Sequence, residues 1–173
     1  MANRFLISDT HFGHTKMCDF KRDDGSPLRP WATVSEMDEA LIENWNKVVK
    51  PGDKVYHLGD VAIPRSGLKC LSRLNGSKIL IRGNHDIFKI RDYLQYFKDI
   101  RGTAVIERYA LSHVPVHEKC IERWKANIHG HLHYKRMLND DGSIDKRYLS
   151  VCVETIDYRP IEWSEALQRH EAA

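Results

Sequence analysis

Short apolar runs that stop abruptly at clusters of polar residues set the rhythm of this chain. Five runs have strand length and composition, at residues 4–8, 54–58, 78–82, 108–112 and 126–129, and a sixth lies at 147–153. Between them the pattern turns helical. Thr33-Val34-Ser35-Glu36 fits a capping box, and Met37, Leu41, Trp45 and Val48 follow at helical spacing until Pro51-Gly52 ends the run. Residues 68–74, 87–97 and 163–170 read as further helices. Asp23-Asp24-Gly25-Ser26-Pro27 and Asn139-Asp140-Asp141-Gly142-Ser143 have turn composition, and the second can close a hairpin with the sixth run as its return strand. Strands alternating with helices predict a layered α/β fold. No linker, repeat or low-complexity tract divides residues 1–173, so they predict a single domain with one core.

Composition changes this picture little. A hydrophobic share of 42% and a charged share of 29% are ordinary for a globular domain. The net charge of +3 comes from dispersed basic residues; it suits an anionic substrate and speaks against the basic stripe of a processive nuclease. Cys18, Cys70, Cys120 and Cys152 form no CxxC pair, and the N-terminus lacks a signal-peptide pattern. The expectation is reduced thiols, packed as small hydrophobes, in a cytoplasmic protein. No apolar run approaches the roughly 20 residues of a membrane span, so no membrane partner is expected.

The polar clusters carry the chemistry. Each follows the C-terminal end of a strand-like run, the edge at which α/β folds assemble ligand sites. Five loops gathered there bring together Asp9, His11, Asp60, Asn84, His85, His113, His131 and His133. Asp9 and His11 are two apart, as are His131 and His133, so in an extended segment each pair points to one side. Carboxylates and imidazoles without cysteine suit two divalent ions such as Mn, Fe, Zn or Ni. Two such ions about 3.5–4 Å apart clamp the attacking and leaving oxygens of an in-line displacement. They also turn water into hydroxide near neutral pH. A carboxylate must bridge ions held that close, and Asp60, alone behind Gly59, is the natural bridge.

These residues carry a family resemblance. DTH at 9–11, GD at 59–60, GNHD at 83–86, His113 in SHVPVH and GHLH at 130–133 occur in order. The chain resembles the calcineurin-like metallophosphoesterase superfamily across all five of its motif blocks, which span residues 9 to 133. The resemblance implies a two-sheet β-sandwich flanked by helices, with metals at the strand ends. It assigns one metal to Asp9, His11, Asp60 and His133, and the other to Asp60, Asn84, His113 and His131. It makes His85 a general acid or transition-state stabiliser at the leaving oxygen. Imidazole chemistry agrees, since an alkoxide leaving group needs a proton that a nearby imidazole can give.

Other polar residues leave two readings open. His14 either lies over the metals and meets substrate, or hydrogen-bonds within its loop. His117, four residues after His113, either faces substrate or does not. Arg82, like Arg65 and Arg136, either reaches a phosphate or turns away. Asp86 reads as an N-cap, and His57 and His129 as core residues. Phe12 and Trp31 flank the first polar loop, where they line a ring pocket or pack beneath it. The function expected from all this is hydrolysis of phosphate esters by a metal-bound hydroxide, with two ions, Mn favoured. A phosphodiester is mildly favoured, because no obvious lid encloses a small monoester. A nucleotide or nucleic-acid phosphodiesterase, including a nuclease, is the alternative within that class. A non-catalytic interaction module is the alternative outside it, and would show gaps among the ligands or at His85, where there are none. Oligomeric state is not legible.

Overall fold

The apolar runs become strands buried along most of their length, because the chain covers them on both faces. A computed structural model describes residues 2–172. Its strands are β1 (Arg4–Ile7), β2 (Lys54–His57), β3 (Ser77–Ile81), β4 (Asp99–Arg101), β5 (Ala104–Ile106), β6 (Tyr109–Ser112), β7 (Ala126–His129), β8 (Tyr148–Ser150) and β9 (Ile161–Glu162). They form two mixed sheets flanked by helices. One has the order β4-β3-β2-β1-β9, with β1 to β4 parallel and β9 antiparallel; the other has the order β5-β6-β7-β8, with only β5 antiparallel. Leu6, Val55 and Leu80 of the first sheet share one apolar cluster with Leu111, Ile128 and Leu149 of the second. The sheets also touch through backbone: Ser8, just past β1, bridges Cys152, just past β8, in parallel.

The expected capping box starts α1 (Val34–Val48). The Thr33 hydroxyl accepts the Glu36 N–H at 3.2 Å while the Glu36 carboxylate accepts the Thr33 N–H at 3.1 Å. Met37, Leu41 and Trp45 are buried as the spacing predicts, whereas Val48 is only half-buried and Val49 takes the inner place. Two short helices, α2 (Ile90–Tyr93) and α3 (Glu118–Ile121), follow, and α4 (Trp163–Ala172) packs on β1 and β9. Residues 65–73 form a 3₁₀ segment rather than an α-helix.

Three expectations need correction. The helix expected over 87–97 shrinks to α2; Ile87, Ile90 and Leu94 face solvent, and Tyr93 and Phe97 provide the burial. The turn at 139–143 closes only the single bridge Leu138–Ile144, and β8 instead pairs in parallel with β7, so the sixth run is not a hairpin return. The cysteines are not uniformly buried: Cys152 is, Cys18 and Cys70 are half-buried, and Cys120 is exposed. All four are free thiols. Among the described residues no helix is long and apolar enough to cross a membrane.

Candidate functional site

Parallel strands put their C-terminal ends on one edge, and there the loops after β1, β2, β3, β6 and β7 meet. The first two loops run as a continued ladder: the Asp9, His11 and Phe12 N–H groups donate to the carbonyls of Gly59, Asp60 and Val61 at 2.9, 3.1 and 2.9 Å. The β7 loop joins them through the His131 N–H, which donates to the Asp9 carboxylate at 2.9 Å. Asp86 does not cap α2. Its carboxylate accepts N–H groups from Asp60, Val61 and Gly83 at 2.9, 3.0 and 2.8 Å, stapling the β2 loop to the β3 loop. Glycine is required where backbone meets carboxylate. A Cβ on Gly83 would lie 2.3 Å from Asp60 Oδ1, and one on Gly130 would lie 2.6 Å from Asp9 Oδ2.

The backbone at the site is strained. Asp9, His11, Asp60, His131 and His133 all have left-handed φ, from 50° to 71°. That conformation costs a non-glycine residue about 1–3 kcal/mol and persists where the surroundings impose it. It also corrects the expectation of extended pairs. Asp9 and His11 converge on one group through left-handed turns and not through strand alternation, and the same backbone sends His131 and His133 to different groups.

Two groups of side chains result. Asp9, His11 and His133 can hold a metal ion, and so can Asp60, His113 and His131. Asp60 lies between them, with Oδ2 at 3.7 Å from His11 Nε2 and 3.3 Å from His113 Nε2. Asn84 Oδ1 belongs to the second group, 2.8 Å from His113 Nε2 and 2.9 Å from His131 Nδ1. Burial and the Arg29 charge keep the His11 imidazole pKa well below its usual value, so it is neutral with a lone pair to offer. Burial pushes Asp60 up, but the hydrogen bond and charge of His113 outweigh it and hold the carboxyl at about 2. Burial raises Asp9.

The donor atoms fit a cation. Asp9 Oδ1 and both ring nitrogens of His11 are buried with no hydrogen-bond partner, a condition that costs about 1–3 kcal/mol for each group. At His113, Nδ1 lies 2.7 Å from the Leu58 carbonyl, which can only accept, so Nδ1 carries the proton. Nε2 faces two further acceptors, Asp60 Oδ2 and Asn84 Oδ1. Burial alone would lower the His113 pKa, but the hydrogen bond to Asp60 and the charges of Asp9 and Asp60 raise it, so a second proton holds these atoms together unless a cation takes its place. Three acceptors converging on one point need a proton or a cation among them.

The remaining candidates divide. The His85 N–H donates to Asp60 Oδ1 at 2.9 Å, and its exposed ring sits 5.7 Å from that of His11. His14 is half-buried with its ring 5.6 Å from His11, and burial and the nearby His85 depress its pKa. Arg82 is turned into its own loop, donating to the carbonyls of Asp86 at 2.7 Å and Phe88 at 3.3 Å. His117 caps α3 by accepting the Lys119 N–H at 3.2 Å, and it faces a groove walled by Met137, Asp145 and Tyr148, apart from the cluster. Arg65 pairs with Asp92. Phe12 is wholly buried and cannot line a pocket, and the half-buried Trp31 packs edge-on against Tyr158 at 4.8 Å.

Sequence reasoning missed Arg29 and Glu154. Both side chains are fully buried, with Arg29 Nη2 2.8 Å from Glu154 Oε1, which also lies 3.1 Å from His133 Nδ1. Burial alone raises a carboxyl, but Arg29 and His133 together hold Glu154 at about 2. Neither residue sits in a motif; the one sequence signal was two lone charges beside otherwise apolar positions.

No family model matches the chain. It is 34% identical over 167 residues to the uncharacterized protein MJ1445 of Methanocaldococcus jannaschii, an alignment covering 93% of this chain and 87% of that one. It is also similar to the Gene 66 protein of Mycobacterium phage L5, with 33% identity over 93 residues that cover 50% of this chain and 41% of the phage protein. Among solved structures, a protein of unknown function from Aquifex aeolicus, AQ665, matches with a TM-score of 0.71 and 29% identity, covering 98% of this chain and 100% of that one.

Proposed function

The chain belongs to the family of the Methanocaldococcus jannaschii protein MJ1445, and we propose that it is a phosphoesterase of the calcineurin-like type, dependent on two divalent ions. The observation that carries this reading is the pair of ligand groups sharing Asp60, with buried donor atoms that lack partners. The order of the five motif blocks, and the two sheets with loops meeting at one edge, also support it. In this reading the sheets are the sandwich of that superfamily. Asp9, His11, Asp60 and His133 hold one ion, and Asp60, Asn84, His113 and His131 hold the other. The mixed imidazole and carboxylate donors suit Mn, Fe, Zn or Ni, and Mn is the ion proposed.

When bound, such ions supply hydroxide at neutral pH and offset the charge of the phosphoryl oxygens. The chain's own groups do the rest. His85, exposed and anchored by its N–H on Asp60, gives a proton to the departing oxygen. His14 is neutral beside it and presents a hydrogen bond to the ester. Asn84 and His85 are exposed, so the edge admits an ester with two substituents; a phosphodiester is the preferred substrate.

The test is hydrolysis of alkyl and nitrophenyl phosphodiesters, cyclic nucleotides and phosphomonoesters by Mn-loaded and chelated protein. Activity is expected on diesters only with metal. His85→Ala is expected to lose roughly 10²–10⁴-fold on alkyl diesters and far less on nitrophenyl ones, whose leaving group needs no proton. Full activity in chelated protein, checked by elemental analysis, would end the metal reading; equal losses on both esters would end the proton-donor role.

A further inference from the structure

Glu154 and Arg29 lie outside every motif block, yet they sit directly behind the ligand candidates. Glu154 follows β8, and Arg29 lies in the long loop after β1, 125 residues away. Arg29 Nε donates to Glu154 Oε1 at 2.9 Å and Nη1 to the Thr10 carbonyl at 2.8 Å, while Nη2 donates to the Asp9 carbonyl. One guanidinium therefore grips the carboxylate and the two successive carbonyls between Asp9 and His11. The same carboxylate oxygen lies 3.1 Å from His133 Nδ1.

An ionised carboxylate only accepts, so His133 Nδ1 must carry a proton. In the neutral ring Nε2 is then bare and available to a cation. An imidazole free of that constraint would spend part of its time as the other tautomer, which offers Nδ1 instead. A buried ion pair is a weak source of net stability and is often replaceable by apolar residues. Its placement here is explained by what it orients.

We propose that Glu154, held by Arg29, is a positioning residue: it fixes His133 as an Nε2 donor and locks it to the Asp9 loop, setting the affinity of the Asp9/His11/His133 half of the site. This rests on the metal reading above. Outer partners of this kind change metal affinity by roughly 10–100-fold when removed. Arg29 contributes by keeping the carboxylate charged and aimed, and by fixing the loop that carries Asp9.

The test compares wild type, Glu154→Ala and Glu154→Gln by Mn titration calorimetry, and by long-range ¹H–¹⁵N spectra of the metal-free chain at a pH above imidazole protonation. Wild type is expected to bind two ions and to show His133 with Nδ1 protonated. Glu154→Ala should bind one ion normally and the other roughly 10–100-fold more weakly, with His133 in mixed tautomers. Glu154→Gln keeps an oxygen acceptor of the same reach and should recover part of both signals. Two ions at wild-type affinity in a folded Glu154→Ala chain, or an unchanged tautomer, would overturn the proposal. Should the alanine variant not fold, Glu154→Leu fills the space without an acceptor, and unchanged affinity and tautomer there would overturn it equally. A wild-type chain that takes up no Mn would instead remove the metal reading itself, and the tautomer spectra would still decide whether Glu154 orients His133.

Discussion

Asp9 and His11 are buried with a half-buried His133, and Asp60 and His113 are buried with a half-buried His131. The two groups therefore differ in exposure at Asn84, which lies open at the surface beside the second. The two halves of the candidate site offer similar donors but are supported differently. Behind the first stands a buried charged network in which Arg29 and Glu154 hold the Asp9 loop and His133. Behind the second stand backbone groups and one lone carboxylate. The Leu58 carbonyl lies on His113, and the Gly130 N–H ties the β7 loop to the His113 carbonyl at 2.9 Å. Asp86 holds the loops that carry Asp60 and Asn84, with no paired cation among the described residues. Donor type sets which ion a half can take. Burial and support set how firmly and how quickly it exchanges. On the proposed metal reading, the first half would hold its ion more firmly than the second.

The largest effect should come from removing what the halves share. Asp60→Asn takes away the one charge placed between His11 and His113. Both halves should weaken by more than the roughly 10–100-fold typical of an outer partner, and activity should vanish with them. Metal content measured after gel filtration checks this. Two ions retained per chain would mean that the halves do not depend on a common carboxylate.

A smaller effect sharpens the difference between the halves. Under a chelator the second half should empty sooner, on the order of tenfold faster than the first. His131→Ala should abolish only the fast phase, because it removes a donor from the second group and leaves Asp9, His11 and His133 untouched. Release of both ions in one phase would break the comparison.

How much of this was legible depended on local signals. The strands before the five clusters were visible because parallel, doubly covered strands read as unbroken apolar runs that end where their loops begin. β4, β5 and β9, of three, three and two residues, are too short to leave a pattern. The helix expected over 87–97 is mostly not formed; its apolar Ile87, Ile90 and Leu94 are exposed and give a longer helix no face to bury. The metal-binding candidates were visible as short clusters, but the left-handed backbone that makes them converge was not. Arg29 and Glu154 showed only as lone charges beside apolar positions, because their meaning lies in a contact across 125 positions.

The smallest expected effect concerns the underside of the first half. Thr10, between Asp9 and His11, donates its hydroxyl proton to the Val61 carbonyl at 2.8 Å, so its contact of 3.0 Å with His57 Nε2 requires that nitrogen to be the donor. His57 Nδ1 is left bare and buried, and burial lowers the pKa to about 3 from an ordinary 6.5. A histidine whose folded pKa is depressed contributes stability that is present above its unfolded value and lost as pH falls toward the folded one. Between pH 7 and pH 5 the unfolded chain takes up a proton that the folded chain refuses, a loss of about 2 kcal/mol from this one group. His129, neutral beneath the β7 loop with a pKa lowered to about 4 by burial, adds to the same slope. His57→Gln places an amide N–H where Nε2–H was and cannot titrate. In metal-free protein it should lose little stability at pH 7, and its urea midpoint should fall less than that of wild type between pH 7 and pH 5. An equal fall in both would mean that His57 is protonated in the folded chain, and that the floor of the first half is wetter than its burial implies.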